Sequence, residues 1–274
     1  MTHTKTVSFS PNPHSPARAV GYLHDVYPEK MPNRIKRPCV VIFPGGAYVF
    51  LSEREADPPA MAFFSKGYNV FILYYSIKEH AKDYSPIFDG SLALLKIREN
   101  SEKWGILPDK IAVCGFSAGA HAAAALGTLW DEPALKAKID TQGGRNRPDA
   151  MILCYPLISV AGYAHSEWAH TVFGGGLTEE QVNLLSLERH VNGQTPSTFL
   201  WHTYEDDCVP VENTLLFAEA LRKNKVPFEC HIFQKGRHGM SLCNEEVGSP
   251  NPHCAAWFPL CAEWLGGLFG FAST

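Results

Sequence analysis

The chain lacks a basic excess: 24 lysines and arginines face 28 acidic residues, a formal net charge of -4 over 274 residues. It therefore offers no basic face to a nucleic-acid backbone, and no run of like charges forms a polybasic membrane anchor. Long apolar runs are missing too. No segment approaches the roughly 20 residues that span a bilayer. The opening "MTHTKTVSFSPNPHSPARAV" has neither the apolar core nor the small-residue cleavage site of a secretion signal. A cytoplasmic protein without nucleic-acid or membrane partners is expected. The eight cysteines include no C-x-x-C pair, and Cys39, Cys114 and Cys154 fall in or beside apolar runs. Reduced, core-filling thiols are expected rather than disulfides. His165 and His170 flank Glu167, but without H-E-x-x-H or similar ligand spacing, so no metal is expected. Internal repeats, low-complexity segments and a dimer signature are absent, and the oligomeric state stays open.

What remains, 45% hydrophobic and 19% charged, is the composition of a globular protein able to bury a sizeable core. Residues 1–16, rich in Ser, Pro, Asn and His, read as a loose arm. Beyond them strand-like and helix-like segments alternate. "RPCVVIFPGG", "YNVFILYYS", Ile111 to Cys114, "AMILCYPL", "STFLWHT" and "FECHIF" read as strands. Helices are expected in "DPPAMAFFSKG", in "SPIFDGSLALLKIRENSEKWG" with Ser85 as N-cap and Pro86 at the first helical position, from Ala118 to Leu129, in "VENTLLFAEALRKN" and in "HCAAWFPLCAEWL". Strands separated by such helices form βαβ units, so residues 17–274 are expected to make one α/β domain on a mostly parallel sheet. The alternation breaks at about residues 158–194, read as a small cap-like insertion with a helix capped by Thr178 and Gln181.

The stretch "KIAVCGFSAGAHAAAALGTLW" sets a serine between glycines where an apolar strand gives way to an alanine-rich helix. Gly115 to Gly119 is G-x-S-x-G, the pattern that lifts a nucleophile above a sheet on a tight strand-to-helix turn. Ser117 needs a base, and the base needs an orienting acid; on this architecture they follow in the order Ser, acid, His. Downstream, Glu205, Asp206 and Asp207 follow a strand, and on residue type alone any of the three could serve. Among the later histidines, His231 lies inside a strand and His253 enters the last helix. His238, in the glycine-flanked loop "QKGRHGM", is the candidate base. Oxyanion donors are expected from the backbone amides of Gly46 or Ala47, where "PCVVIF" runs into glycines, together with Ala118 at the helix start.

With these residues in place the chain resembles the α/β-hydrolase superfamily, and within it the bacterial carboxylesterases of the acetyl esterase or acetyl xylan esterase-like group. The resemblance is carried by "PGGAYVFLSEREADPPA", "PDKIAVCGFSAGAHAAAALGTLW" and "TPSTFLWHTYEDDCVPVENTLLFAEALRKNKVPFECHIFQKGRHG". It selects Asp206 as the acid through the pattern D-x-x-V-P at Asp206 to Pro210. Related esterases carry H-G-G-G where this chain has Pro44-Gly45-Gly46-Ala47, a change that keeps the backbone donors. The resemblance implies a serine esterase without cofactor, acting on short acyl, particularly acetyl, esters of small molecules such as acetylated sugars or xylo-oligosaccharides. The same triad could cleave an arylformamide or peptide bond, and a non-catalytic receptor could keep the same fold. His121, one turn after Ser117, is expected to be a packed, hydrogen-bonded helper rather than the base, and His202 to support the acid loop. Tyr163, Trp168 and Phe173 are candidates to line a pocket.

Overall fold

The computed structural model describes residues 4–161 and 177–271. Eight strands form one sheet: β1 (Thr4–Phe9), β2 (Arg18–His24), β3 (Arg37–Phe43), β4 (Asn69–Tyr74), β5 (Ile106–Phe116), β6 (Ala150–Cys154), β7 (Thr198–Thr203) and β8 (Phe228–Phe233). Their spatial order is β1-β2-β4-β3-β5-β6-β7-β8. β1 and β2 pair antiparallel, as do β2 and β4; every later pair is parallel. The helices are α1 (Asp57–Ser65), α2 (Ser85–Glu99), α3 (Ala118–Thr128), α4 (Pro133–Lys136), α5 (Glu179–Leu185), α6 (Glu212–Lys223) and α7 (Trp257–Phe269).

The central strands are buried on both faces, which is why they read as unbroken apolar runs. Along β3, Val41 and Phe43 pack with Leu94 of α2, Leu126 of α3 and Phe217 of α6 on one side. Val40 and Ile42, with the opposite parity, pack with Phe63 of α1 and Trp257 and Leu265 of α7 on the other. Cys39, Cys114 and Cys154 are fully buried in this core; all eight cysteines are unpaired, and Cys208 is exposed.

Two expectations are corrected. The arm is not loose from residue 4 onward: Thr4–Phe9 is an edge strand in register with β2, Thr4 opposite His24 and Phe9 opposite Ala19. Its connection to β2 is pinned by the buried carboxylate of Asp89 on α2. Asp89 Oδ1 accepts from Asn12 Nδ2 at 3.0 Å and Ser15 Oγ at 2.7 Å, and Oδ2 from Ser76 N–H at 2.9 Å. A buried acceptor thus helps order this Ser/Pro/Asn-rich segment, together with the burial of Pro11 and Ala17. Second, Ser85 opens α2 as its first residue instead of capping it. Tyr84 takes the cap position with φ +63°, and Ser85 Oγ donates back to Lys82 O at 2.7 Å. In the insertion, α5 carries a capping box: Thr178 Oγ1 accepts from Gln181 N, and Gln181 Oε1 from Thr178 N. Tyr163, His165, Glu167, Trp168, His170 and Phe173 lie outside the described residues.

Candidate active site

The loops that follow β3, β5, β6, β7 and β8 leave the carboxyl ends of the parallel strands, where a parallel α/β sheet places its ligands. Ser117 joins β5 to α3 with φ +54° and ψ -120°, a backbone conformation that costs on the order of 1–3 kcal/mol and needs support around it. The flanking glycines supply that support through close approach. A Cβ on Gly119 would lie 2.1 Å from Phe43 O, and one on Gly115 would lie 2.4 Å from Gly119 O. The G-x-S-x-G spacing thus lets α3 press against the end of β3, with Ser117 projecting from the apex.

His238, on the loop after β8, stands between Ser117 and Asp206. His238 Nε2 is 2.8 Å from Ser117 Oγ, and His238 Nδ1 is 2.7 Å from Asp206 Oδ2. A carboxylate only accepts, so Nδ1 carries the hydrogen and Nε2 is left to accept from the serine hydroxyl. Asp206 has only 9% of its surface exposed, whereas its neighbours Glu205 and Asp207 are solvent-facing. Its Oδ1 accepts from the amides of Cys208 at 3.0 Å and Val209 at 2.8 Å. This turn is the physical content of D-x-x-V-P: the carboxylate folds back on its own loop through Oδ1, and Oδ2 is left to meet His238 and His202. Burial pushes the Asp206 carboxyl up, but hydrogen bonds from His202 and His238, the charge of His238 and the Val209 amide outweigh it and hold the group below the usual carboxylate range.

His202, the penultimate residue of β7, is fully buried, with Nε2 2.9 Å from Val209 O and 3.2 Å from Asp206 Oδ2. Both are acceptors, so Nε2 carries the hydrogen and Nδ1 accepts from Thr214 Oγ1 at 2.8 Å. His202 therefore supports the acid loop. His231 pairs with Glu229 on β8, and His253 packs its ring against Phe233; neither enters the site.

The loop after β3 has three consecutive residues with positive φ: Gly46 at +130°, Ala47 at +52° and Tyr48 at +59°. Only the first is a glycine, so the other two are held against their preference. Gly46 O accepts from the amides of Val49 and Phe50, and Pro44 O from Tyr75 Oη at 2.5 Å. Tyr48 Oη is 2.9 Å from Nδ1 of His121, whose Nε2 is 3.0 Å from Leu185 O at the end of α5. That carbonyl fixes the hydrogen on Nε2, and Nδ1 accepts from Tyr48. Burial draws His121 down to about 4, partly offset by the Leu185 carbonyl, so at neutral pH it is the uncharged helper expected from its place one turn after Ser117. The amides of Gly46, Ala47 and Ala118 donate to no other group among the described residues. Tyr48, on the loop after β3, and Tyr155, the residue after β6, were not singled out from the sequence; the signal that could have found them is their place beyond a strand's C-terminal end.

This arrangement has the parts of acyl transfer: a hydroxyl hydrogen-bonded to an imidazole, an acid behind it, and unpaired amides beside it. Among the described residues no group of three or more His, Cys, Asp or Glu could hold a metal ion. A family model described as BD-FAE matches residues 24–221. The chain is 35% identical over 262 residues to endo-1,4-beta-xylanase B of Butyrivibrio fibrisolvens, covering 93% of this chain and 38% of that protein. An acetylxylan esterase of Xylanibacter ruminicola is 25% identical over 218 residues, 77% of this chain and 43% of that one. The chain thus spans about two fifths of the length of these relatives. The solved structure of an acetyl ester-xyloside bifunctional hydrolase from Caldicellulosiruptor lactoaceticus matches with a TM-score of 0.81 at 35% identity, covering 95% of this chain and 92% of that one.

Proposed function

Because the chain belongs to the BD-FAE family and carries the α/β-hydrolase fold, we propose that it is a carboxylic ester hydrolase working through Ser117, His238 and Asp206, with short acyl esters of sugars as substrates. The observation that carries this reading is the unbroken line from Asp206 Oδ2 through both His238 nitrogens to Ser117 Oγ, at 2.7 and 2.8 Å.

His238 Nε2 removes the Ser117 proton as Oγ attacks the ester carbonyl carbon, and Asp206 holds the imidazolium that forms. The carbonyl π electrons move to oxygen, which the amides of Ala118 and of Gly46 or Ala47 receive, each worth about 3 kcal/mol in the transition state. As the carbonyl reforms, the ester C–O bond breaks and His238 returns the proton to the leaving alcohol. Water then enters, and His238 takes its proton as the water oxygen bonds to the acyl carbon; when the acyl–Ser117 bond breaks, His238 returns that proton to Oγ, releasing the acid and restoring the free serine. All the acid–base groups required are side chains of the protein, so the cycle calls for no cofactor.

An acetylated xylo-oligosaccharide is the substrate class this reading favours, supported by the acetylxylan esterase and the acetyl ester-xyloside hydrolase among the relatives. The test is hydrolysis of p-nitrophenyl esters from acetate to decanoate, followed by acetate release from soluble acetylated xylo-oligosaccharides, each with Ser117→Ala as control. Rates that fall steeply beyond short acyl chains and vanish in the variant support the reading. Equal rates on acetylated sugars and on unrelated acetates refute the sugar assignment.

A further inference from the structure

Glu55 is an acid with no role in the cycle above and an unusual address. It ends a short 3-10 turn, Glu53–Glu55, just before α1, and only 3% of it is exposed. None of the ion pairs among the described residues includes it. A carboxylate buried without a cation is expensive and persists where hydrogen bonds occupy its oxygens.

Both oxygens are occupied by loops of the candidate site. Oε2 accepts from Gly45 N–H, on the loop that presents Gly46 and Ala47, at 3.0 Å. Oε1 accepts from Tyr155 Oη–H at 2.7 Å, and the same Tyr155 oxygen accepts from Ser241 N–H, three residues beyond His238, at 2.9 Å. Ser241 Oγ in turn donates to Arg54 O at 2.6 Å, so the base loop is fastened to the Arg54–Glu55 segment at two points. Tyr155 sits just past β6 with φ +37°, and its ring meets that of His238 edge-on at 5.1 Å. Separation from the nucleophile is one glycine thick. A Cβ on Gly45 would lie 2.6 Å from Glu55 Oε2 and 3.1 Å from Ser117 Cβ.

We propose that Glu55 is a positioning residue for acyl transfer, whose buried carboxylate sets the spacing between the oxyanion-side loop and the His238 loop through Gly45 and Tyr155. By holding the Gly45 amide toward itself, it leaves the amides of Gly46 and Ala47, which donate to no other group among the described residues, for the oxyanion. Through Tyr155 and Ser241 it fixes how far the base stands from them. Reacting groups displaced by about 1 Å lose roughly a hundredfold in rate, so a brace that ties two such loops together acts on turnover more than on substrate binding. This inference rests on the reading of Ser117 as the nucleophile.

The test uses Glu55→Ala, Glu55→Gln and Tyr155→Phe in the full chain. Active sites are counted with diethyl p-nitrophenyl phosphate, kcat and KM are measured on p-nitrophenyl acetate per counted site, and affinity is measured for phenylboronic acid, which forms a tetrahedral adduct with a serine nucleophile. Glu55→Ala is expected to lower kcat per site about 10- to 100-fold, to leave KM within about threefold, and to weaken the boronate in proportion to kcat. Glu55→Gln, which keeps an acceptor for Gly45 N–H, and Tyr155→Phe, which keeps the carboxylate, should each fall between wild type and Glu55→Ala. Wild-type kcat per counted site in all three variants, with fewer sites counted, means a purely structural role and overturns the proposal. A wild-type protein that is neither labelled by the phosphate ester nor active on the acetate overturns the nucleophile reading itself, and this proposal with it.

Discussion

Protonation of His121 should weaken the fold, and the size of the effect follows from its burial. The ring is 2% exposed, wedged between Tyr48 Oη and Leu185 O, and its titration is drawn from 6.5 down to about 4. A histidine whose folded-state value is depressed contributes stability that is complete above the unfolded value of 6.5 and is lost as pH falls toward the folded value. Between those two points the unfolded chain binds the extra proton. At about 1.4 kcal/mol per pH unit, the window from 6.5 to about 4 amounts to about 3 kcal/mol. Structurally, a proton on Nδ1 converts the acceptor for Tyr48 into a donor and places a charge in an apolar pocket. The perturbation is His121→Gln, which retains polar ends without titrating. Urea unfolding at fixed ionic strength from pH 4 to 7.5 gives the free energy of each protein. The wild-type curve should drop relative to the variant by about 3 kcal/mol across the window, while other depressed groups, such as His24, cancel because both proteins contain them. Parallel curves would refute the reasoning.

Replacing Asp206 by Asn should keep the fold but present His238 with an amide that can donate to Nδ1, favouring the wrong tautomer. A fall in kcat approaching 10⁴-fold is expected, as for the equivalent change in the serine protease triad, and a loss under tenfold would contradict the role given to Asp206. Asp89→Ala strands three donors, Asn12, Ser15 and the Ser76 amide, at a cost of about 2–4 kcal/mol in urea unfolding. Limited proteolysis should then cut between residues 10 and 17, and resistance equal to wild type would show that the connection is held by other contacts.

The sequence made legible what local context determines. Strands β3, β4, β6 and β7 and residues 111–116 of β5 are shielded on both faces and appear as mostly apolar runs, so they could be read directly as strands; the first half of β5, with Asp109 and Lys110, could not. β1 could not: it is an edge strand whose Thr4, Lys5, Thr6 and Ser8 are solvent-facing, and only Val7 and Phe9 turn inward. Ser117 and His238 stood out because a strand-to-helix turn and a glycine-flanked loop are local features. Asp206 needed the D-x-x-V-P pattern, since the property that separates it from Glu205 and Asp207 is a turn closing onto the Cys208 and Val209 amides. Glu55 was illegible for a different reason. Its contact with Tyr155 joins positions 100 residues apart, and nothing in "LSEREAD" marks which of its acids is buried.

The central claim is that Ser117 Oγ is the atom acylated by the substrate. The most direct measurement is peptide mapping by mass spectrometry after reaction with diethyl p-nitrophenyl phosphate, in the wild type and in His238→Ala. A single phosphoryl adduct on Ser117, forming at least a hundredfold more slowly without His238, is the predicted result. An adduct on another residue, or p-nitrophenyl acetate hydrolysis that survives Ser117→Ala, would contradict it.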